Sequence, residues 1–278
     1  MSTFKAIMLA IVAAMMLPHV PSNGGGSRAE EVHPVLVNSC LIGGTVSGKW
    51  MAAGEVAPKL QGGEKYNFYT LTARAGESIG DKPKRMADYC PETMEIELSP
   101  KPTEGVVFAI GGQWNALPRA PQVLSNNEQV YKAAVADVLK SKRFSKPRIN
   151  ITRVLRIDVD GDGIEEVLVS ASHYAGGLGS DTGPMAIRAR GGDYSVVFLR
   201  KLMSGKVQNI VVAGEFYPLE GDKGNPPSQY IVSAVGDVDG DGAMEVIVES
   251  NYYEGGGSTV YSIKGNKVEE MTSCGCGA

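Results

Sequence analysis

The stretch Arg156-Ile157-Asp158-Val159-Asp160-Gly161-Asp162-Gly163, continued by Glu166-Val167-Leu168-Val169, decides how this chain is read. It recurs as Val235-Gly236-Asp237-Val238-Asp239-Gly240-Asp241-Gly242, continued by Glu245-Val246-Ile247-Val248, and 79 residues separate Asp158 from Asp237. At the same offset Tyr174 maps to Tyr253, Gly176 to Gly255 and Gly177 to Gly256, so the likeness runs past the acidic loop. Apolar and β-branched runs flank both loops. Each unit therefore reads as strand, acidic loop, strand, Gly-rich turn and further strand. Residues 155–157 enter the first loop, and residues 196–199 and 259–263 form the later strands.

The alternation of Asp with small residues suits a hard cation. Calcium takes about six to eight oxygens at roughly 2.3–2.6 Å. With Asp158 as the first position, Asp160, Asp162 and Glu166 supply carboxylates, and Ile164 can offer its carbonyl. In the second copy the same roles fall to Asp237, Asp239, Asp241, the Ala243 carbonyl and Glu245. The glycines between them permit a tight wrap. Nine of the 31 acidic residues lie in these loops, Glu165 included, in a chain of net charge −4. Carboxylates so close repel one another without a cation, and the expectation is two calcium sites. The competing readings are a solvated acidic turn and an EF-hand. The EF-hand needs an acidic twelfth position and flanking helices, where this chain has Val169 and Val248 and strand-forming runs.

The pattern Asp-x-Asp-Gly-Asp-Gly-x-x-Glu before a Val-rich strand resembles the FG-GAP/VCBS-type repeats of integrin-α-like propellers and many exported bacterial proteins. The resemblance covers roughly residues 150–270. It implies a calcium ion in each loop, held between antiparallel strands, and brings no activity with it. A propeller needs about four or more blades, and two copies are visible here. The expected fold is thus mainly β (α+β), with two blade-like antiparallel units packed on each other and on an N-terminal β region, and not a closed propeller.

Outward from the repeats, Ser125-Asn126-Asn127-Glu128 reads as a capping box. Val130, Ala134 and Val138 share a face with Tyr131, Val135 and Leu139, which predicts an amphipathic helix over 126–141. Before it, residues 34–124 read as strands and turns. Residues 66–72 are rich in β-formers, Met94, Ile96 and Leu98 alternate with Glu95 and Glu97, and residues 106–110 form an apolar run. The resulting division is a signal peptide over 1–22, a flexible lead-in over 23–33, the β region over 34–124, helix and connector over 125–148, and the repeats over 149–278.

The signal reading rests on Lys5, an apolar run over residues 6–17 and a break at Pro18, with cleavage after Ser22 or, second, after Ala29. Such a run suits a signal sequence and is too short to span a bilayer. Cys40, Cys90, Cys274 and Cys276 fit an oxidising destination, periplasmic or extracellular. A bridge within Cys274-Gly275-Cys276 has poor geometry, so the tail cysteines are expected to pair back to Cys40 and Cys90 in either combination. A Cys-x-Cys metal or redox site is the alternative.

The balance of charge, with a pI near 5.5, carries no nucleic-acid footprint. Residues 43–49 match most of a phosphate-binding loop, but Trp50 stands where that loop needs Ser or Thr. His173, Ser180 and Asp181 lack a nucleophile-elbow context. Residues 252–257, Tyr-Tyr-Glu-Gly-Gly-Gly, and their counterpart 174–177 are candidates for contact with a protein or glycan, or else rings covering a sheet edge. The leading functional expectation is an exported, calcium-binding, non-enzymatic structural or binding module. The alternatives are a secreted hydrolase, with Glu77, Glu95, Glu97, Glu215 or Glu254 free to serve, and an inhibitor or partner of another exported protein.

Overall fold

The computed structural model describes residues 30–177, 188–219 and 226–277. The signal segment, Ser180 and Asp181 lie outside them. The molecule is mainly β, built from three antiparallel sheets.

The first sheet is made from β1 (Val32–Val37), β2 (Cys40–Val46), β3 (Lys49–Ala52), β4 (Lys65–Tyr69), β5 (Arg74–Gly80), β6 (Lys84–Ala87), β7 (Cys90–Glu95), β8 (Leu98–Ser99) and β9 (Phe108–Ile110). Its order is β6-β7-β2-β1-β9-β4-β5-β8, with β3 beside β2 and a short helix α1 (Ala53–Val56) after β3. The sheet curls around its own core of Leu36, Leu41, Val56, Leu60, Tyr66 and Ile96. The stretch that mimics a phosphate loop is the β2–β3 hairpin. Ser47 (φ 51) and Gly48 (φ 79) take the left-handed turn conformation, which matches the twist of the paired strands. Trp50 lies so close over Gly43 that a Cβ there would meet its ring at 2.8 Å.

The second sheet runs β10 (Gln122–Val123), β11 (Ile151–Ile157), β12 (Glu166–His173), β13 (Tyr194–Met203) and β14 (Lys206–Phe216), each strand beside the next. The third runs β15 (Gln229–Gly236), β16 (Glu245–Tyr252), β17 (Gly255–Lys264) and β18 (Lys267–Gly277) in the same manner. β12 and β16 coincide at the sequence offset, and Leu155↔Leu168 in one sheet matches Ala234↔Ile247 in the other. The offset fails beyond them, because residues 174–193 join β12 to β13 whereas Tyr253 and Glu254 alone join β16 to β17.

The second helix, α2 (Gln129–Ser141), starts later than the capping-box reading placed it. Ser125 Oγ accepts from the amide of Asn127, not of Glu128, and the Asn126 side chain donates to Ile151 O. With Leu124 N also donating to Val154 O, residues 125–128 are tied to β11 and turn before the helix can begin. From there Ala134, Val135, Val138 and Leu139 cover the outer face of the second sheet against Val154, Val169, Val196 and Phe198.

One core joins all three sheets. Val35, Phe108 and Ile110 meet Leu168, Val197 and Leu199 of the second sheet and Val235, Val246, Ile247 and Val260 of the third. These side chains are almost wholly withdrawn from water, each contributing on the order of 1.5–3 kcal/mol. The tail is stapled to the first sheet. Cys274 and Cys276, two apart on β18, point to the same side, where the bridges Cys40–Cys274 and Cys90–Cys276 form. All four cysteines are thus used. Thr93 Oγ1 donates to Gly275 O and Thr272 Oγ1 to Ile42 O beside the bridges. Two disulfides belong to an oxidising environment. Among the described residues no helix is long and apolar enough to cross a membrane.

Candidate metal centre

The first acidic loop connects β11 to β12 and the second connects β15 to β16. Strand pairing sets their ends: Ile157 faces Glu166, and Gly236 faces Glu245. Both loops then wrap on their first aspartate. Asp158 accepts from the amides of Gly161 and Gly163 at 2.7 and 3.1 Å, and Asp237 from those of Gly240 and Gly242 at the same distances. The glycines accept φ of 77° and 86° in one loop and 81° and 89° in the other, the left-handed region that a Cβ disfavours.

The ninth-position glutamates reach back in the same way. Glu166 accepts from Val159 N at 2.9 Å and Glu245 from Val238 N at 3.0 Å. Asp158, Asp160 and Glu166 then offer oxygens that all lie within 4.8 Å of one another, and so do Asp237, Asp239 and Glu245. Oxygens ligating one calcium ion from opposite sides stand about 4.8 Å apart. Two all-oxygen clusters that could hold a metal ion are therefore present. The fifth-position aspartates stand outside these triads and bond the next turn: Asp162 accepts from Ile164 N at 2.7 Å and Asp241 from Ala243 N at 2.8 Å.

The two loops are adjacent and share supports. Arg119 donates from Nε to Asp158 O at 2.7 Å and from its terminal nitrogen to Gly242 O at 2.9 Å. Met244 N donates directly to Val159 O at 2.8 Å. Trp114 Nε1 donates to Asp237 O at 2.8 Å, and its ring lies against Gly240. None of these supports is visible as a motif: Trp114 and Arg119 come from the connection between the first and second sheets, and the Met244–Val159 bond runs from one acidic loop to the other.

The surroundings of the two clusters differ. At the first, the Lys201 ammonium, 9% exposed, donates to Asp160 at 2.6 Å and to Glu166 at 2.8 Å. Burial works against its charge, but the bonds from Asp160 and Glu166 hold its pKa above the ordinary lysine value. Arg156 pairs with Glu165 at 3.1 Å, and Arg119 approaches Asp158 at 4.0 Å. At the second cluster no ion pair forms to any of the four acids among the described residues. Burial, then Asp239, pushes the Glu245 carboxyl up to about 8, and burial also raises Asp237 and Asp239. The second cluster faces a groove of about 450 Å³ that Trp50, Asp239, Asp241, Glu245 and Ser262 line, with Lys264 at its wall.

Other sequence candidates fall elsewhere. Tyr174 is buried and donates to Ser228 O at 2.6 Å, so it closes the structure and is not a contact residue. Its counterpart Tyr253 is about half exposed. Residues 255–257 are not a loop: they pair with both β16 and β18. Tyr89, Tyr252, Gly256 and Gly257 line a groove of about 480 Å³ beside the Cys90–Cys276 bridge. Of the free glutamates, Glu77 pairs with Lys65 and Arg74, Glu95 and Glu97 share Lys84, and Glu215 accepts from Tyr217, Tyr230 and the Ser228 amide. His173 lies at the end of β12 near the Tyr194 ring. The chain matches no family model, no curated protein and no solved structure.

Proposed function

We propose that this chain is an exported, non-enzymatic calcium-binding module of the FG-GAP/VCBS type, in which the ion stabilises a scaffold that presents a binding surface. The observation that supports it most is the second loop. Asp237 and Glu245 are buried, Asp239 is half-buried, and no ion pair compensates them. A buried carboxylate without a counter-charge is costly, and a hard dication among oxygens removes that cost while supplying no reactive group. Export is supported by the two disulfides and by the apolar segment near the N-terminus. The groove that Tyr89 and Tyr252 line offers aromatic side chains and backbone polar groups to a protein or glycan partner.

The test is thermal unfolding of the disulfide-bonded protein in calcium and in chelator, followed by tryptophan fluorescence. Of the two tryptophans of the chain, Trp114 lies against the second loop and Trp50 lines the groove that the loop faces. Calcium at about 100 times its Kd adds about 2.7 kcal/mol, or roughly 5–10 °C for a domain of this size. Asp239→Ala should abolish most of that rise and the fluorescence change. A wild-type protein whose melting and fluorescence ignore calcium would remove the proposal.

A further inference from the structure

Register places a different residue across the sheet from each ninth-position glutamate. Val167 pairs with Arg200 and Val246 with Tyr261. One step along the same ladders, Lys201 stands opposite Glu166 and Ser262 opposite Glu245. Lys201 and Ser262 are both buried, so each side chain has one place to go, the floor of its loop. Lys201 fills it: its ammonium bonds Asp160 and Glu166, two of the three residues that form the first cluster. Ser262 leaves the floor of the second loop open to the groove, and Glu245, 3% exposed, has one oxygen with no hydrogen-bond partner among the described residues.

We infer that the Lys201 ammonium takes the place of an ion in the first loop, so that the two copies of the motif are one tethered internal cation and one true cation site. An ammonium bonded at 2.6 and 2.8 Å occupies the directions from which Asp160 and Glu166 would ligate a metal. Two positive charges cannot share that floor. The first loop is thus folded by the chain's own charge at any calcium concentration. The second depends on the ion. Because Arg119 and the Met244–Val159 bond join the loops, the permanently closed first loop supports the backbone of the second before the ion arrives.

The inference deepens the calcium reading and rests on it. Calorimetric titration of the disulfide-bonded protein with calcium chloride should give one ion per chain in the wild type, none in Asp239→Ala, and two in Lys201→Gln, where a neutral side chain leaves the first cluster unfilled. Lys201→Arg, which keeps a cation, should stay at one. Two ions in the wild type would overturn the inference while leaving the calcium reading intact. So would one ion in a folded Lys201→Gln. No ion in any variant would instead defeat the calcium reading, and this inference with it. Should Lys201→Gln fail to fold in chelator, its recovery of wild-type melting on addition of calcium supports the inference, and failure to recover overturns it.

Discussion

Replacing Glu245 by Gln should make the calcium-free protein more stable, although it removes a ligand of the candidate site. Gln keeps an oxygen for the Val238 amide and nearly the same volume, but carries no charge. The Glu245 carboxyl is pushed from 4.5 to about 8, first by burial and then by Asp239. Between these values the folded chain still holds a proton that the unfolded chain has released. Stability is therefore unaffected at low pH and is lost as pH rises through that window. The loss reaches about 3 kcal/mol at pH 7 and about 5 kcal/mol above pH 8. Denaturant unfolding in chelator should show wild type falling steadily from pH 5 to pH 8. Glu245→Gln should fall less, keeping only the slope from Asp237 and Asp239, which are raised in the same sense. At pH 7 the variant should exceed wild type by about 3 kcal/mol, which is roughly 6–12 °C in melting temperature, and should no longer respond to calcium. Glu166→Gln is the matched control with the opposite sign. It strips a charged partner from the buried Lys201 ammonium and should cost about 3 kcal/mol. A Glu245→Gln protein less stable than wild type in chelator at pH 8 would refute the claim that this carboxylate lies buried and uncompensated.

Two further outcomes follow from the supports of the site. Arg119→Ala orphans the carbonyls of Asp158 and Gly242, so it should cost about 2 kcal/mol and weaken calcium binding at the second loop; an unchanged calcium titration would show that the loops are independent. Cys40→Ser opens one bridge while Cys90–Cys276 stays closed, so the loop released is about 52 residues (50 from Cys40 to Cys90 and 2 from Cys274 to Cys276), which should remove about 4 kcal/mol by chain entropy; a melting temperature equal to wild type would mean that the core and the second bridge hold β18 in place.

Much of the site was legible because its signals are local. The Asp-Gly alternation demands a tight turn around oxygens, and the flanking Val-rich runs demand strands, so the boundaries of β12 and β16 fall at the offset of the repeat. The capping box misled because its hydroxyl is satisfied one residue early, while Asn126 and Leu124 are held by β11. The Gly-rich stretch 255–257 read as a turn because glycine breaks strands in general. Here the close approach of β18 requires it: a Cβ on Gly257 would meet Cys274 O at 2.7 Å. The pairing of the cysteines had two combinations open, and the direction of β18 along the first sheet selects one of them.

The amino-acid sequence by itself determined that two acidic loops would be built and between which strands, because each loop is closed by residues within nine positions of one another; of the carboxylates it singles out, Asp158, Asp160 and Glu166 meet, as do Asp237, Asp239 and Glu245, while Asp162 and Asp241 stand outside these clusters. It could not say what would lie beneath those carboxylates. Lys201 is 41 residues from Asp160 and Ser262 is separated from Glu245 by a whole hairpin, so nothing in the spacing links them. Only the register of β13 on β12 and of β17 on β16 sets one side chain under each loop. That register is decided by the apolar faces that must turn inward, Val197 and Leu199 in one sheet and Val260 in the other. A one-residue slip would send Lys201 to the opposite face. Two loops of the same sequence pattern are thus given a cationic floor in one case and a neutral one in the other by the sheets that carry them.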